Sequence, residues 1–225
     1  MVVTPHPDDA EYGAAGTVAR MVKEGKKVVY VVCTNGDKGT SDINTNPKEL
    51  AKIREREQID ACKVLGVKEV AFLRHPDQSL EDTHEFRKEI VCQIRKYRPQ
   101  IVITANPYKH YIWHRDHRIA GQVTLDAVFP YARDHLTYPE LLEKDLKPHK
   151  VKEVFLWASD DVNYIFDISK TFHLKIAALR CHKSQIGTGE QAKKVEDWVR
   201  NMNLNMAKGK NFEIAEAFNL VEVPD

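Results

Sequence analysis

The sequence predicts an α/β fold in which helices cover both faces of a mainly parallel sheet. Four short segments are rich in β-branched and aromatic residues and lack the polar alternation of a half-exposed strand, which is typical of strands buried on both faces. Helix-like segments separate them, and this alternation favours parallel pairing through crossover helices. The four apolar segments lie in residues 28–37, 70–73, 101–106 and 154–159.

One of the intervening segments has a clear helical pattern. Its apolar residues recur every three or four positions, and a proline follows the last of them and should end the helix. The segment supplies one helix of the outer layer, with its inward stripe at Phe86, Ile90, Ile94 and Tyr97 and its stop at Pro99.

The end of the chain, from Lys170 onward, is predicted to contain two helices and a short apolar tail. A stripe of apolar side chains on the second helix suits core packing or a subunit contact better than a cofactor site, and we expect a homo-oligomer. This stripe consists of Val195, Trp198, Met202 and Met206.

Length and composition restrict the class of protein. A chain of 225 residues suits one domain covering residues 1–225. Its 34 Lys and Arg nearly balance its 33 Asp and Glu, so nucleic acid and anionic membrane surfaces are not expected partners. The sequence shows neither a signal-peptide pattern nor an apolar run of the roughly 20 residues that a membrane helix needs. The four cysteines form no CxxC pair and are interpreted as reduced core residues, so we expect a cytoplasmic protein.

Polar motifs follow the predicted strands. In open α/β sheets, ligands bind beyond the carboxyl ends of the strands, so these motifs should meet at one edge. The sequence therefore predicts a single site built from "PHPDD", "TNGDKGTSD", "RHPDQ" and "NPYKHYIWHRDHR".

The first and last of these motifs suggest a metal centre. A catalytic zinc ion usually has three protein ligands and one open position for water, and His6, Asp9 and His117 can supply that set. Two alternatives stay open: "HPDD" can cap a helix N-terminus, and two histidines with one carboxylate also suit Fe²⁺. We expect one divalent metal per chain, with zinc preferred.

The neighbouring residues suggest hydrolytic chemistry. With Asp9 on the metal, Asp8 is free to act as general base towards a water whose pKa zinc lowers to about 7. His114 and His117 are three residues apart and should face the same way on a helix, so His114 can stabilise an oxyanion. Asp116 is expected to orient His114, although it is also a plausible helix cap.

Five segments between Val2 and Gly121 occur in an order that resembles the LmbE-like, PIG-L type family of zinc-dependent N-acetylglucosamine deacetylases. The resemblance implies a Rossmann-like fold and hydrolysis of the acetamide of an amino sugar, which releases acetate and a free amine. The segments are "PHPDDAEYGAAGT", "CTNGDKGT", "IREREQIDACKVLGV", "RHPDQSL" and "HRDH", with a weaker similarity around "RCHKSQ".

Carried over by position, the resemblance implies the same metal ligands, the same general base and the same oxyanion-stabilising histidine that the residue types indicated above. It also implies that Arg54, Asp37 and Asp77 contact the sugar. Arg54 has an alternative as a solvated ion-pair residue, and Asp37 and Asp77 have one as turn-closing residues. His182 either lines the site or caps a helix C-terminus.

The chain departs from the family pattern beside the oxyanion histidine. Arg115 replaces the usual proline of the second motif and adds a cation, which favours an anionic or polar substrate. Ile112 stands where some members have a tyrosine, which leaves Tyr108 or Tyr111 as substitutes.

Three functions are compatible with the sequence. The first is deacetylation of an N-acetylglucosamine unit in a small molecule or oligosaccharide, and two segments resemble archaeal-type diacetylchitobiose deacetylases. The second is an amidase for a thiol-sugar conjugate. The third is a metal-binding protein without turnover, and Asp8 argues against it because metal binding alone does not need this extra carboxylate.

Overall fold

The computed structural model describes residues 1–225 and contains one seven-stranded sheet, which confirms the predicted α/β architecture. The strand order is β3-β2-β1-β4-β5-β7-β6. The first five strands of that order are parallel, and β7 runs antiparallel to both β5 and β6. The strands are β1 (Val2–Thr4), β2 (Val29–Thr34), β3 (Glu69–His75), β4 (Ile101–Ala105), β5 (Glu153–Trp157), β6 (Tyr164–Asp167) and β7 (Ala215–Glu222).

Helices cover both faces of the sheet, so the central strands are apolar on both sides. Val3 and Val31 pack beneath α4 and α5, whereas Val2 and Tyr30 face the other helical layer. The helices are α1 (Asp9–Gly13), α2 (Ala15–Lys23), α3 (Pro47–Leu65), α4 (His84–Tyr97), α5 (Arg115–Asp126), α6 (Phe172–Leu179), α7 (Lys183–Ile186) and α8 (Gly189–Met206), with a π-helical turn at Ala127–Tyr131 and a 3₁₀ turn at Pro139–Lys144. None of them combines the length and apolar character that crossing a bilayer requires.

Local signals set the bounds of α3, the helix that reaches beneath the site. Asn46 caps its first turn by accepting hydrogen bonds from the amides of Lys48 and Glu49, and Pro47 opens the helix. Gly66 ends it in a left-handed conformation, with φ of 75°. The helix is 19 residues long, and its buried face includes Arg54 and Gln58.

The C-terminal part differs from the expectation of two helices and a tail. It contains three helices, and the tail is strand β7, which pairs between β5 and β6. Glu216 interrupts the apolar pattern of this strand, yet it is buried because Lys175 of α6 neutralises it at 2.6 Å. All four cysteines carry free thiols, and Cys33 and Cys62 are buried.

Candidate active site

The predicted motifs meet at the carboxyl ends of β1, β2, β3 and β4, which are consecutive in the sheet. β1 leads directly into the segment from His6 to Asp9, and β4 leads through a loop to His114 at the start of α5. Parallel strands bring these ends to one edge, so residues far apart in sequence become neighbours.

Asp9 lies between two histidines. One of its carboxylate oxygens, Oδ2, is 2.8 Å from His6 Nδ1 and 3.0 Å from His117 Nε2. The same oxygen accepts a hydrogen bond from the main-chain amide of His6, which fixes the side chain against its own turn. Trp113 packs edge-on against the ring of His117, with 4.4 Å between ring centroids. The three predicted ligands are therefore brought together.

Two further carboxylates contact the other ring nitrogen of His6. Its Nε2 is 3.0 Å from Asp77 Oδ1 and 3.2 Å from Asp116 Oδ2. Asp116 is held in turn by the main-chain amides of Gln78 and Leu80. A carboxylate behind a metal-binding histidine fixes the orientation and tautomer of its ring, so Asp77 and Asp116 are suited to direct Nδ1 of His6 towards Asp9.

The electrostatics show that this pocket favours a positive charge. Burial by itself lowers the pKa of His6, but Asp9, Asp116 and Asp77 outweigh it and raise the pKa to about 12. Burial likewise raises the pKa of Asp9, but His117 and His6 hold it well below the ordinary value. The Nδ1 atom of His117 is buried without a hydrogen-bond partner. Two imidazoles and a carboxylate in an anionic pocket form a donor set that fits a divalent cation such as Zn²⁺.

Asp8 makes no contact with the two histidines and has a different environment from Asp9. It occupies the N-cap position of α1 with φ of 95°, and its side chain makes no capping hydrogen bond. The carboxylate instead lies 3.3 Å from Arg54 Nη2. Burial, with help from Asp9 and Glu11 and against the opposing charges of Arg54 and His182, raises the pKa of Asp8 to about 7. A carboxylate with a pKa in this range can take up and release a proton near neutral pH.

His114 is held by the main chain of α5. Its Nδ1 accepts a hydrogen bond from the Asp116 amide at 3.1 Å, so in the neutral ring the proton lies on Nε2. Burial, followed by the charge of His6, lowers the pKa of His114. The ring centroids of His114 and His6 are 4.7 Å apart, which places His114 at the edge of the metal-binding set.

Asp116 contacts His114 through its main-chain amide and not through its carboxylate. That carboxylate bonds to His6 and to two main-chain amides, and only the main-chain amide of Asp116 contacts His114. The physical reason is that a carboxylate at the second residue of α5 points towards the sheet, where His6 and the β3–α4 loop offer donors.

The three predicted sugar contacts are near the site but are already bonded to protein. Arg54 is 3% exposed, and its guanidinium donates to the carbonyls of Pro7 and Gly36 as well as to Asp8. Asp37 accepts a hydrogen bond from the amide of Asp77, so these two residues also order the turn after β3. The interpretation of Arg54 as a solvated surface ion pair is excluded by its burial.

The rim of the site consists of the loop between β4 and α5. Tyr108, Tyr111 and Ile112 are all exposed, Ile112 to 95%. Arg115 donates to the carbonyl of Leu80 and pairs with Glu81 at 3.4 Å, so its charge is directed to the neighbouring loop. The rim is thus more apolar than the presence of Arg115 alone suggests.

Sequence reasoning missed the polar residues behind Asp8. Gln58 is fully buried and accepts a hydrogen bond from the main-chain amide of Asp8 at 3.0 Å. Glu11 and His182 are fully buried next to it, so His182 does not line the open site. One signal was present: Gln58 lies four residues after Arg54 and therefore faces the same way on α3.

Comparison with known proteins gives consistent matches. Residues 1–128 match the family model described as PIG-L, GlcNAc-PI de-N-acetylase. Diacetylchitobiose deacetylase of Thermococcus kodakarensis is 34% identical over 98% of this chain and 82% of its own. A probable N-acetyl-alpha-D-glucosaminyl L-malate deacetylase 2 of Bacillus cereus is 31% identical over 82% of each chain. Among solved structures, N,N'-diacetylchitobiose deacetylase from Pyrococcus horikoshii, in complex with its inhibitor MPG, superimposes with a TM-score of 0.92 at 30% identity, covering 98% of this chain and 82% of that chain.

Proposed function

The chain belongs to the PIG-L family of de-N-acetylases, and from this premise we propose that it removes the acetyl group from an N-acetylglucosamine unit of a small molecule or oligosaccharide. The reaction is hydrolysis of an amide, which yields acetate and a free amine. The observation that carries the proposal is the division of labour between adjacent carboxylates: Asp9 lies between His6 and His117, whereas Asp8 lies outside that set.

We assign the metal to His6, Asp9 and His117, with zinc as the preferred ion, one ion per chain, and Fe²⁺ as the alternative. When bound, the metal polarises the amide carbonyl and makes a water molecule more acidic. Asp77 and Asp116 support the set through His6 Nε2.

Asp8 is assigned as the general base. It accepts a proton from the attacking water as the new C–O bond forms, and it then returns that proton to the nitrogen of the leaving amine as the C–N bond breaks. His114 donates a hydrogen bond from Nε2 to the oxygen of the tetrahedral intermediate, since Nδ1 is already occupied by the Asp116 amide. Protons and electrons balance, because water supplies the hydroxyl of acetate and the hydrogen of the amine.

A more specific proposal concerns the class of substrate. The relatives named as diacetylchitobiose deacetylases favour a chitobiose-like disaccharide, and the apolar rim at Tyr108, Tyr111 and Ile112 suits the face of a sugar ring. We propose that Arg54, Asp37 and Asp77 order the loops that receive this sugar. Those of their polar atoms that are not hydrogen-bonded to the protein are proposed to contact the sugar.

The direct test is an amine-release assay on N-acetylglucosamine, diacetylchitobiose, an N-acetylglucosaminyl malate and a thiol-sugar amide, together with metal analysis. We expect turnover of an acetamido sugar and about one metal ion per chain. Turnover of the thiol-sugar amide alone would favour the amidase, and bound metal without turnover of any compound would favour a binding protein.

We also propose that the protein works in the cytoplasm as a homo-oligomer. Four free thiols suit a reducing compartment. Trp198 remains 57% exposed on α8, where the apolar stripe was predicted, and such a side chain suits a subunit contact. Light scattering on the purified protein tests the oligomeric state.

A further inference from the structure

A row of buried polar side chains extends from the main-chain amide of Asp8. Its members are Gln58 of α3, Glu11 of α1 and His182, which immediately precedes α7, and all three have no exposed surface. Burying a polar group costs free energy unless it is paired with a specific partner, so the burial of these three side chains calls for a physical reason.

The hydrogen bonds of Gln58 have a defined direction. Its Oε1 accepts from the main-chain amide of Asp8 at 3.0 Å, and its Nε2 donates to Glu11 Oε1 at 3.0 Å. A carboxylate only accepts hydrogen bonds, so Glu11 must face the amino end of the Gln58 amide. The carbonyl end is thereby turned towards Asp8.

Glu11 itself is fixed from the other side. His182 Nε2 lies 3.3 Å from Glu11 Oε2, within ion-pair distance but not aligned for a hydrogen bond. Against the opposing effect of burial, Glu11 raises the pKa of His182, which favours the charged imidazole beside this buried carboxylate. The contacts link His182 to Glu11, Glu11 to Gln58, and Gln58 to Asp8, across three helices.

Asp8 needs such support because its backbone is strained. Its φ of 95° lies in the left-handed region, which is unfavourable for a residue with a side chain. The direction of the Asp8 carboxylate depends on that conformation, and the only side chain bonded to its amide is Gln58.

We propose that Gln58 is a positioning residue that holds the main chain of Asp8 in its left-handed conformation, with Glu11 and His182 fixing the orientation of the Gln58 amide. The proposal rests on the role of Asp8 as base in the proposed function. Gln58 acts through Asp8 and does not contact the substrate.

The chain offers a matched control in a second buried polar pair. Lys175 and Glu216 are equally buried, and Lys175 donates to the carbonyl of Tyr12 in α1. Glu216 accepts from the amides of Gly16 and Thr17, and neither residue of the pair contacts Asp8 or Gln58. Glu216→Gln therefore perturbs a buried charge next to the same helix without touching the base.

The test is a double-mutant cycle of Gln58→Met with Asp8→Asn, at matched metal content. We expect Gln58→Met to lower kcat by roughly 10- to 100-fold with KM within about twofold of wild type, because a displaced base affects chemistry more than binding. In the Asp8→Asn background the same substitution should have almost no further effect on kcat, since the base is already absent. Glu216→Gln should lower the thermal midpoint but keep kcat.

Hydrogen exchange at the Asp8 amide gives a readout that is independent of turnover. Protection of this amide should fall in Gln58→Met and stay unchanged in Glu216→Gln. It also separates the two proposals: if wild type fails to deacetylate any sugar, the proposed function fails, while the exchange result still decides whether Gln58 holds Asp8.

Three results would overturn the inference: an unchanged kcat in Gln58→Met, an equal loss in the Asp8→Asn background, or unchanged protection of the Asp8 amide. If Gln58→Met does not fold, Gln58→Asn takes its place in both measurements. It keeps an amide but is one methylene too short to reach Asp8 and Glu11 together.

Discussion

Asp8 and Asp9 show how neighbouring identical side chains acquire different chemistry. Asp9 meets two imidazoles, which hold its pKa well below the ordinary value and keep it ionised despite burial. Asp8 meets one guanidinium and the negative charge of Asp9, and burial raises its pKa to about 7. Two carboxylates whose pKa values are driven apart can divide the work of metal binding and proton transfer.

Two substitutions should separate those roles. Asp8→Asn is expected to retain the metal and to lose kcat by on the order of 10²-fold or more, because the amide cannot accept the proton. Asp9→Ala should lose the metal, since it removes the oxygen between His6 and His117. Metal analysis and initial rates on the two variants check this, and the reverse pattern would exchange the two assignments.

Substitutions of His114 distinguish a role as hydrogen-bond donor to the oxyanion from a role as the cap of α5. His114→Ala should lower kcat by roughly 10²- to 10³-fold, the cost of one oxyanion donor, with metal content unchanged. It also removes the cap of α5, which costs about 1 kcal/mol. His114→Asn serves as the control, because asparagine can cap the helix but cannot place a donor where Nε2 stands.

The expected pattern is therefore restored stability without restored activity in His114→Asn. Thermal denaturation and kcat measured on both variants provide the comparison. Normal turnover in His114→Asn would mean that the histidine serves only as a cap.

The raised pKa of His182 predicts that the stability of the protein depends on pH. Burial lowers its pKa, but Glu11 and Asp8 outweigh that effect and raise it above the unfolded value of about 6.5. A raised folded pKa stabilises the protein fully below the unfolded pKa, and the stabilisation is lost as pH rises through the folded pKa. Urea unfolding should therefore show the largest deficit of His182→Gln relative to wild type below the unfolded pKa and a smaller one as the pH rises through the folded pKa. A deficit that grows with pH would contradict a charged His182.

The site was predictable from the sequence where its residues follow one strand or share one helical turn. His6, Asp8 and Asp9 come from a single motif, and His114 and His117 from another. The partner of Asp116 was not predictable in this way, because His6 is 110 residues away and is brought there only by the strand order. Gln58 was missed because a glutamine in a charged helix is expected to be exposed, and its position four residues after Arg54 indicates which way it faces but not that it is buried.

At the scale of elements, the turn after β2 and the inner face of α3 depend on each other. Gly36 has φ of 63°, and a Cβ built on it would lie 2.4 Å from Arg54 Nη1. Arg54 fills that space because its guanidinium donates to the Gly36 carbonyl and to the carbonyl before Asp8. The glycine thus helps to support Asp8, the proposed base.

Gly36→Ala should therefore displace Arg54 and lower both stability and kcat. Gly25→Ala is the matched control, since Gly25 also has positive φ, 83°, but its Cβ would meet no atom within 4 Å. Each variant is expected to lose about 1 kcal/mol from backbone strain. Only Gly36→Ala should lose more than that and also lose activity, as unfolding curves and kcat would show. Equal behaviour of the two variants would mean that Arg54 can move aside at no cost.

The elements themselves were predicted unevenly, for physical reasons. The parallel strands and α4 have continuous apolar runs or a full helical stripe, and the structure confirms them as elements. The expected burial on both faces is wrong for β3, which lies at the edge of the sheet and is only partly buried. β7 was interpreted as a tail because Glu216 and Asn219 interrupt its apolar pattern. The short β6 and α7 carry too few residues to show a period.

At the scale of the whole molecule, we propose that residues 1–225 form a single domain. One sheet extends through the entire chain, and its last strand inserts between β5 and β6. Apolar clusters on both faces of the sheet contain residues from β1, β2, β4 and β5. The C-terminal segment is thus held by the same sheet that carries the site.

The buried pair Lys175–Glu216 should be the main electrostatic link between this C-terminal strand and the N-terminal helices. Lys175 bonds to the Tyr12 carbonyl, and Glu216 bonds to the first amides of α2, so each charge also satisfies main-chain groups. Removing one partner leaves the other buried without compensation, and we expect Glu216→Gln and Lys175→Met each to lower the free energy of unfolding by about 3 to 5 kcal/mol. The double variant should lose less than the sum of the single losses, because no uncompensated charge remains. Urea unfolding of the four proteins measures this coupling, and metal content and kcat of the folded variants should stay near wild type. Single losses below about 1 kcal/mol would show that water reaches the pair and that strand pairing and apolar packing hold the C-terminal strand without it.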